Sequence, residues 1–130
     1  MTDRPILIDS SAWIEFFREG RADVADRVER AIQSGQAATC DLVRLELLVG
    51  ARTESSYQEI AMLLDTLVQI PITKRCWDTA AWMGFTLRRR GLALRNTDLI
   101  IAAAARDAGA EVLHCNSHFD VIAGLDEHGE

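Results

Sequence analysis

Cysteine is scarce in this 130-residue chain, and what there is stands alone: Cys40, Cys76 and Cys115, none in a Cys-x-x-Cys spacing. An odd, scattered count argues against a disulfide framework and a zinc site, and reads as three reduced, core-type thiols. Two prolines and eight glycines are too few for a fibrous or low-complexity chain. Long apolar runs are missing as well. The longest, residues 99–105, is far short of the roughly 20 residues that span a bilayer. No basic-plus-apolar leader opens the chain, so the expected setting is cytoplasmic, without a membrane. Positive charge is also in deficit: 14 Lys and Arg against 20 Asp and Glu, a net charge of −6. That excludes capture of nucleic acid by the protein's overall field, though not by a local patch beside metal-neutralised acids. The single lysine, Lys74, and an Asp9 with no acidic neighbour argue against a phospho-acceptor receiver domain.

What is present is an ordinary globular composition, 48% hydrophobic and 26% charged, and residues 1–130 read as one domain with its own core. Residues 6–8, short and β-branched, read as a buried strand ending at Asp9, with Ser10 or Ser11 placed to cap a helix over 11–18. A helix over 22–33 carries Val24, Val28, Ala31 and Ile32 at helical spacing and stops at Gly35. A short strand over 36–39 follows. Asp41 is expected to cap a helix over 42–51, and a helix over 57–67 sets Ile60, Leu63, Leu64 and Leu67 on one face. After a strand at 68–70, a long helix over 74–90 stops at Gly91. Asn96 or Thr97 is expected to cap a helix over 98–108, apolar nearly all round and therefore buried, with Gly109 as its stop. The last strand is 111–113, and the polar tail from Gly124 is expected to fray. Strands alternating with helices imply an α/β fold: a parallel sheet with helices on both faces and no internal repeat.

Three acids concentrate the chemical interest. Asp9 ends a strand, where open α/β sheets bind ligands. Glu46 falls on the apolar side of its helix, between Leu42 and Val49, where a carboxylate is expensive unless paired, protonated or bound to a metal. Asp98 opens the most apolar helix; an acid in a first turn is favoured there by the macrodipole alone. Gathered together, three carboxylates repel unless a cation sits among them, and hard oxygen ligands suit Mg2+ or Mn2+. Such an ion lowers the pKa of a bound water and steadies a leaving oxygen, which is the chemistry of phosphodiester hydrolysis.

Four stretches carry a family resemblance: Ile8-Asp9-Ser10-Ser11-Ala12-Trp13-Ile14-Glu15, Leu45-Glu46-Leu47-Leu48-Val49-Gly50-Ala51, Asn96-Thr97-Asp98-Leu99-Ile100-Ile101-Ala102-Ala103, and Val112-Leu113-His114 leading to Phe119-Asp120-Val121-Ile122-Ala123. In this order they resemble the PIN domain of VapC-type toxins from bacterial type II toxin–antitoxin pairs. The resemblance implies a three-layer α/β/α fold with a mostly parallel sheet. It implies a Mg2+- or Mn2+-dependent endoribonuclease whose metal ligands correspond to Asp9, Glu46 and Asp98, with Ser11 or Ser10 steadying Asp9. It also implies an RNA substrate, a homodimer and a small antitoxin that wraps the toxin.

One stretch departs from the family pattern. Asn116 and His118 stand where further aspartates are common. Asn116 is expected to offer an oxygen to metal or water without a charge, which weakens metal binding. His118 reads as an exposed loop residue by default, or as a ligand for a softer metal or a donor to phosphate. Asp120 lies one helical turn beyond. The substitutions motivate an alternative, a PIN module that binds its antitoxin or RNA without cutting. Arg88-Arg89-Arg90 and Arg95 make the main basic cluster. Arg90 and Arg95, with Arg44, are the candidates for an RNA phosphate track, although cations at a helix C-terminus need no such role. Trp13, Phe16, Phe17, Trp77 and Trp82 are expected mostly in the core, with some lining a groove for an antitoxin helix.

Overall fold

In the computed structural model, which describes residues 3–127, Ile6-Leu7-Ile8 forms β1 (Ile6–Ile8), an inner strand of a four-stranded sheet. β2 (Ala37–Thr39) flanks it on one side and β4 (Glu111–Leu113) on the other, and β3 (Val68–Gln69) extends the sheet beyond β2. Every pairing is parallel, with Leu7 opposite both Ala38 and Val112. Strands covered on both faces carry unbroken apolar runs rather than an alternating pattern. Accordingly Leu7, Ile8, Ala37 and Ala38 are all buried. The sheet is parallel throughout, as the alternation of strands and helices predicts, where the family resemblance implied a mostly parallel one.

The strand order β3-β2-β1-β4 places the site. The chain winds outward from β1 through β2 to β3, then returns to the far side of β1 to lay down β4. Winding therefore reverses between β1 and β4, and the crevice beyond their carboxyl ends is where such sheets bind ligands. Asp9 leaves β1 there, and residues 114–118 leave β4 beside it.

Helices complete the three-layer α/β/α architecture. α1 (Ser10–Phe17) packs on α2 (Ala22–Gln33), and α3 (Asp41–Val49) on α4 (Glu54–Asp65). α5 (Lys74–Arg89) packs on α6 (Asn96–Ala108), which also meets α7 (His118–Glu127). α6 is buried along most of its length, through Leu99, Ile100, Ile101 and Ala103 to Ala105, as its sequence predicts. Its alanines let neighbours approach closely. On α5, a Cβ added to Gly84 would lie 2.9 Å from Leu99 Cδ1. That contact holds the first turn of α6, and with it Asp98, against the body of the protein.

Several boundaries differ from the sequence expectation, each for a local reason. α1 starts at Ser10, because Asp9 is the N-cap and accepts the Ser11 N–H. α3 starts at Asp41; Cys40 is its N-cap and no side-chain bond closes it. α4 starts at Glu54, with Thr53 capping through Ser56 N–H. α6 includes Asn96 and Thr97 and follows Arg95. The tail expected to fray from Gly124 is helical through Glu127, and the rest of it lies outside the described residues. Trp77 and Trp82 are not core residues but 54% and 63% exposed. No helix among the described residues is long and apolar enough to cross a membrane.

α6 ends at Gly109 with φ 67°, a left-handed residue whose successor, Ala110, bonds back to Ala105 O at 2.8 Å. A Cβ is disfavoured in that conformation. Gly109→Ala should lower unfolding stability by about 1 kcal/mol, read as a lower urea midpoint at unchanged slope.

Candidate active site

Asp9 is the first acid of the crevice and is only 2% exposed. Its Oδ2 accepts the Ser11 backbone N–H at 3.0 Å and the Ser11 hydroxyl at 2.6 Å. That hydroxyl oxygen in turn accepts the Cys115 N–H at 3.0 Å. Ser11 thus fastens the end of β1 to the loop leaving β4. Its neighbour acts elsewhere, since Ser10 Oγ donates to Glu46 Oε1 at 3.1 Å. Of the two serines offered by the sequence to steady Asp9, Ser11 does so, and Ser10 holds the second acid instead.

Glu46 projects from α3 and is half-buried rather than enclosed. The apolar side on which the sequence places it is itself partly in solvent, since Leu45 and Val49 are 58% and 76% exposed. Its carboxyl is nonetheless pushed above the ordinary value, first by burial. The Ser10 bond and Arg95 oppose this shift, while the charges of Asp9 and Asp98 add to it. Three acids, one just past β1 and the others on α3 and α6, therefore share one electrostatic neighbourhood.

Asp98 is 1% exposed and sits in the third position of α6, where the helix N-terminus favours an anion. Four side-chain donors crowd its carboxylate. Arg95 Nη2 reaches Oδ1 at 3.1 Å and Arg95 Nε reaches Oδ2 at 3.1 Å, a two-pronged grip. Asn116 Nδ2 donates to Oδ2 at 3.1 Å, and His118 Nδ1 lies 2.8 Å from the same oxygen. A carboxylate that accepts these bonds requires the proton on His118 Nδ1. Asp98, with Glu46 and Asp9 beyond it, strengthens the hold of Arg95 on its proton.

The departures from the family pattern thus have places. His118 is half-buried as the first residue of α7, not an exposed loop residue. Asn116 spends its oxygen on the His118 backbone N–H at 2.9 Å and turns its nitrogen to Asp98, so the oxygen expected to face metal or water is engaged. Asp120 is exposed and outside the cluster, 3.8 Å from His114 Nε2. The basic candidates divide. Arg95 reaches the acids. Arg90 closes the C-terminus of α5 and is exposed. Arg44, about 200° around α3 from Glu46, pairs with Asp65 at 2.6 Å. The Arg95–Asp98 grip is absent from the sequence expectations; its signal is the Arg-x-x-Asp spacing at the start of α6. The Ser11–Cys115 bond spans 104 residues and leaves no such trace.

Asp9, Glu46 and Asp98 provide hard oxygens and mutual repulsion, and this donor chemistry fits a divalent cation. Among the described residues, no three His, Cys, Asp or Glu side chains are gathered into a ready metal cage. The positive charge facing Asp98 is the Arg95 guanidinium.

Comparison with known proteins gives this geometry a context. A family model described as the PIN domain matches residues 6–125. The chain is 33% identical over 124 residues to the VapC ribonuclease Mb1587 of Mycobacterium bovis, covering 92% of each chain. It is 34% identical over 122 residues to ribonuclease VapC18 of Mycobacterium tuberculosis, covering 91% of this chain and 87% of that one. Among solved structures, VapBC2 from Rickettsia felis, bound to a DNA fragment from its promoter, superposes with a TM-score of 0.74. The identity there is 20%, over 90% of this chain and 92% of that one.

The raised carboxyl of Glu46 has a consequence for stability. A carboxyl whose folded pKa lies above its unfolded value binds more protons when folded. Its favourable contribution is complete below the unfolded pKa, 4.5, and is lost as pH rises through the folded pKa. Glu46→Gln removes that loss and keeps an oxygen for Ser10. In chelator-treated protein its melting temperature should exceed that of wild type at pH 7, and the gap should close by about pH 4.

Proposed function

The chain belongs to the PIN-domain family, in its VapC branch, and on that premise we propose that it is the endoribonuclease toxin of a toxin–antitoxin pair, working in the cytoplasm on RNA phosphodiesters with Mg2+ or Mn2+. One observation supports the reading: the charges of Asp9 and Asp98, far from Glu46 in sequence, both bear on its carboxyl, and Asp9 leaves β1 at the β1/β4 switch point. The ribonuclease names of the relatives favour this reading over a module that binds without cutting.

A divalent ion held by Asp9, Glu46 and Asp98 would supply a lowered water pKa and neutralisation of phosphate charge. The rest falls to the chain's own residues. Ser11 keeps the Asp9 carboxylate in a fixed orientation, since it binds the acid and the β4 exit loop together. Ser10 does the same for Glu46. Hydrolysis adds water across one P–O bond, leaving one fragment with the phosphate and the other with a hydroxyl. The substrate's negative charge must first approach a protein of net charge −6. Arg95, 62% exposed at the lip of the crevice, is the cation best placed to receive a backbone phosphate.

Apolar exposure supports protein partners, here a second copy and a small antitoxin. Trp77, Trp82 and Phe85 on α5, and Leu45, Val49 and Met62 on α3 and α4, are all more than 50% exposed. Exposed aromatic and apolar side chains in such numbers mark interfaces.

Asn caps helices about as well as Asp. Asp9→Asn should therefore unfold within about 1 kcal/mol of wild type while losing metal-dependent RNA cleavage by more than roughly 100-fold, since even indirect partners of a metal site are worth about 10–100-fold. Asp9→Ala should lose the cap too, about 1 kcal/mol further. Cleavage of a mixed RNA pool by antitoxin-free protein, surviving in Asp9→Asn, would sink the assignment.

Asn116→Asp exchanges a donor for an acid 3.1 Å from Asp98 Oδ2. Metal-free stability should fall by about 1–3 kcal/mol, and the rise in melting temperature on adding Mn2+ should exceed that of wild type.

A further inference from the structure

We infer that Arg95 is the resident counter-ion of this acidic crevice: its guanidinium takes the cation's place on Asp98, and a divalent ion binds by displacing it, which frees Arg95 to take an RNA phosphate. The inference rests on the metal-dependent reading above and adds to it a competition built into the chain.

Asp98 is engaged on both oxygens, unevenly. Oδ2 receives Arg95 Nε, Asn116 Nδ2 and His118 Nδ1, while Oδ1 receives Arg95 Nη2. With about two acceptor sites on each oxygen, Oδ2 is full and Oδ1 holds only Arg95. Arg95 alone spans both oxygens, so a cation that approaches either one meets its guanidinium. The donors differ in how readily they can leave. Asn116 and His118 are half-buried, and Asn116 is tied in addition to the His118 backbone at 2.9 Å. Arg95 reaches in from solvent, with a side chain 62% exposed against 1% for Asp98. It carries the charge that a metal would replace, so exchange of one cation for another never leaves Asp98 uncompensated in its buried setting.

The backbone also tethers the displaced group. Arg95 is the N-cap of α6 and Asp98 lies three residues on, so a displaced guanidinium stays at the mouth of the crevice at high effective concentration. It re-occupies Asp98 when the metal leaves. Metal loading and phosphate capture are thereby coupled through one side chain: with Nε and Nη2 on Asp98 only Nη1 is left for a phosphate, and release from Asp98 frees the whole fork.

The test is calorimetric titration of the chelator-treated full chain with Mn2+, comparing wild type, Arg95→Gln and Arg95→Lys, with folding checked by circular dichroism. Arg95→Gln should bind Mn2+ roughly tenfold more tightly, the scale of a charge-assisted hydrogen-bond pair. Arg95→Lys keeps the charge and loses the fork, and should fall between the two. Equal or weaker binding by Arg95→Gln overturns the inference while leaving the metal-dependent reading in place. So does an Arg95→Lys equal to wild type, which would reduce the effect to long-range charge. Should Arg95→Gln fail to fold, Arg95→Lys alone decides. Absence of saturable binding to any of the three overturns the inference and the metal-dependent reading together.

Discussion

Two carboxylates almost wholly withdrawn from water, Asp9 and Asp98, are the constraint on which the rest of this molecule depends. An ion taken out of water costs several kcal/mol unless its lone pairs are met. Here the donors that meet them come from across the chain. Asp9 is served by the first turn of α1 and by Ser11, which is itself served by Cys115 beyond β4. Asp98 is served by Arg95 at the start of α6, by Asn116 in the β4–α7 loop and by His118 at the start of α7. Satisfying two charges thus draws together β1, β4, α1, α6 and α7. The active-site crevice and the assembly of the sheet's carboxyl edge are one set of bonds.

Much of this is legible in the residues. The unbroken apolar run Ile6-Leu7-Ile8, the all-round apolar α6 and Gly109 each have a single structural solution, so strand, buried helix and left-handed stop fall where the pattern puts them. Helix starts are less legible. Ser, Thr, Asp and Asn all cap, and clusters such as Asp9-Ser10-Ser11 or Asn96-Thr97-Asp98 offer several candidates with similar free energies. Tertiary demands choose among them. Asp9 caps α1 because Ser11 is needed by Cys115 and Ser10 by Glu46. The exposure of Trp77 and Trp82 is hidden for a related reason. Aromatic content says that a surface is apolar, not whether the chain itself covers it.

Within the site, the acids are legible and their partners are not. Glu46 announces itself by sitting among leucines. Asp9 and Asp98 announce themselves through strand end and helix start. The roles of Asn116 and His118 depend on how the β4–α7 loop turns, which no local pattern encodes. Arg95 is intermediate: its spacing to Asp98 permits an ion pair, but an exposed i,i+3 pair is ordinarily worth little. Burial of one partner, Asp98, is what makes this pair matter.

The replacement of acids by Asn116 and His118 then follows a consistent logic. A further carboxylate beside Asp98 would add to the repulsion that already pushes Glu46 upward. An amide nitrogen and a ring N–H instead solvate Asp98, and need no cation to do so. The site consequently holds its geometry through its own donors, with Arg95 completing the charge balance. A site stabilised in this way attracts a divalent ion less strongly than one richer in acid, because ligand charge sets much of the affinity. Cohesion of the free protein and avidity for metal therefore oppose each other at one carboxylate. The residues around Asp98 fix the balance between them, and Arg95 is more open to solvent than His118.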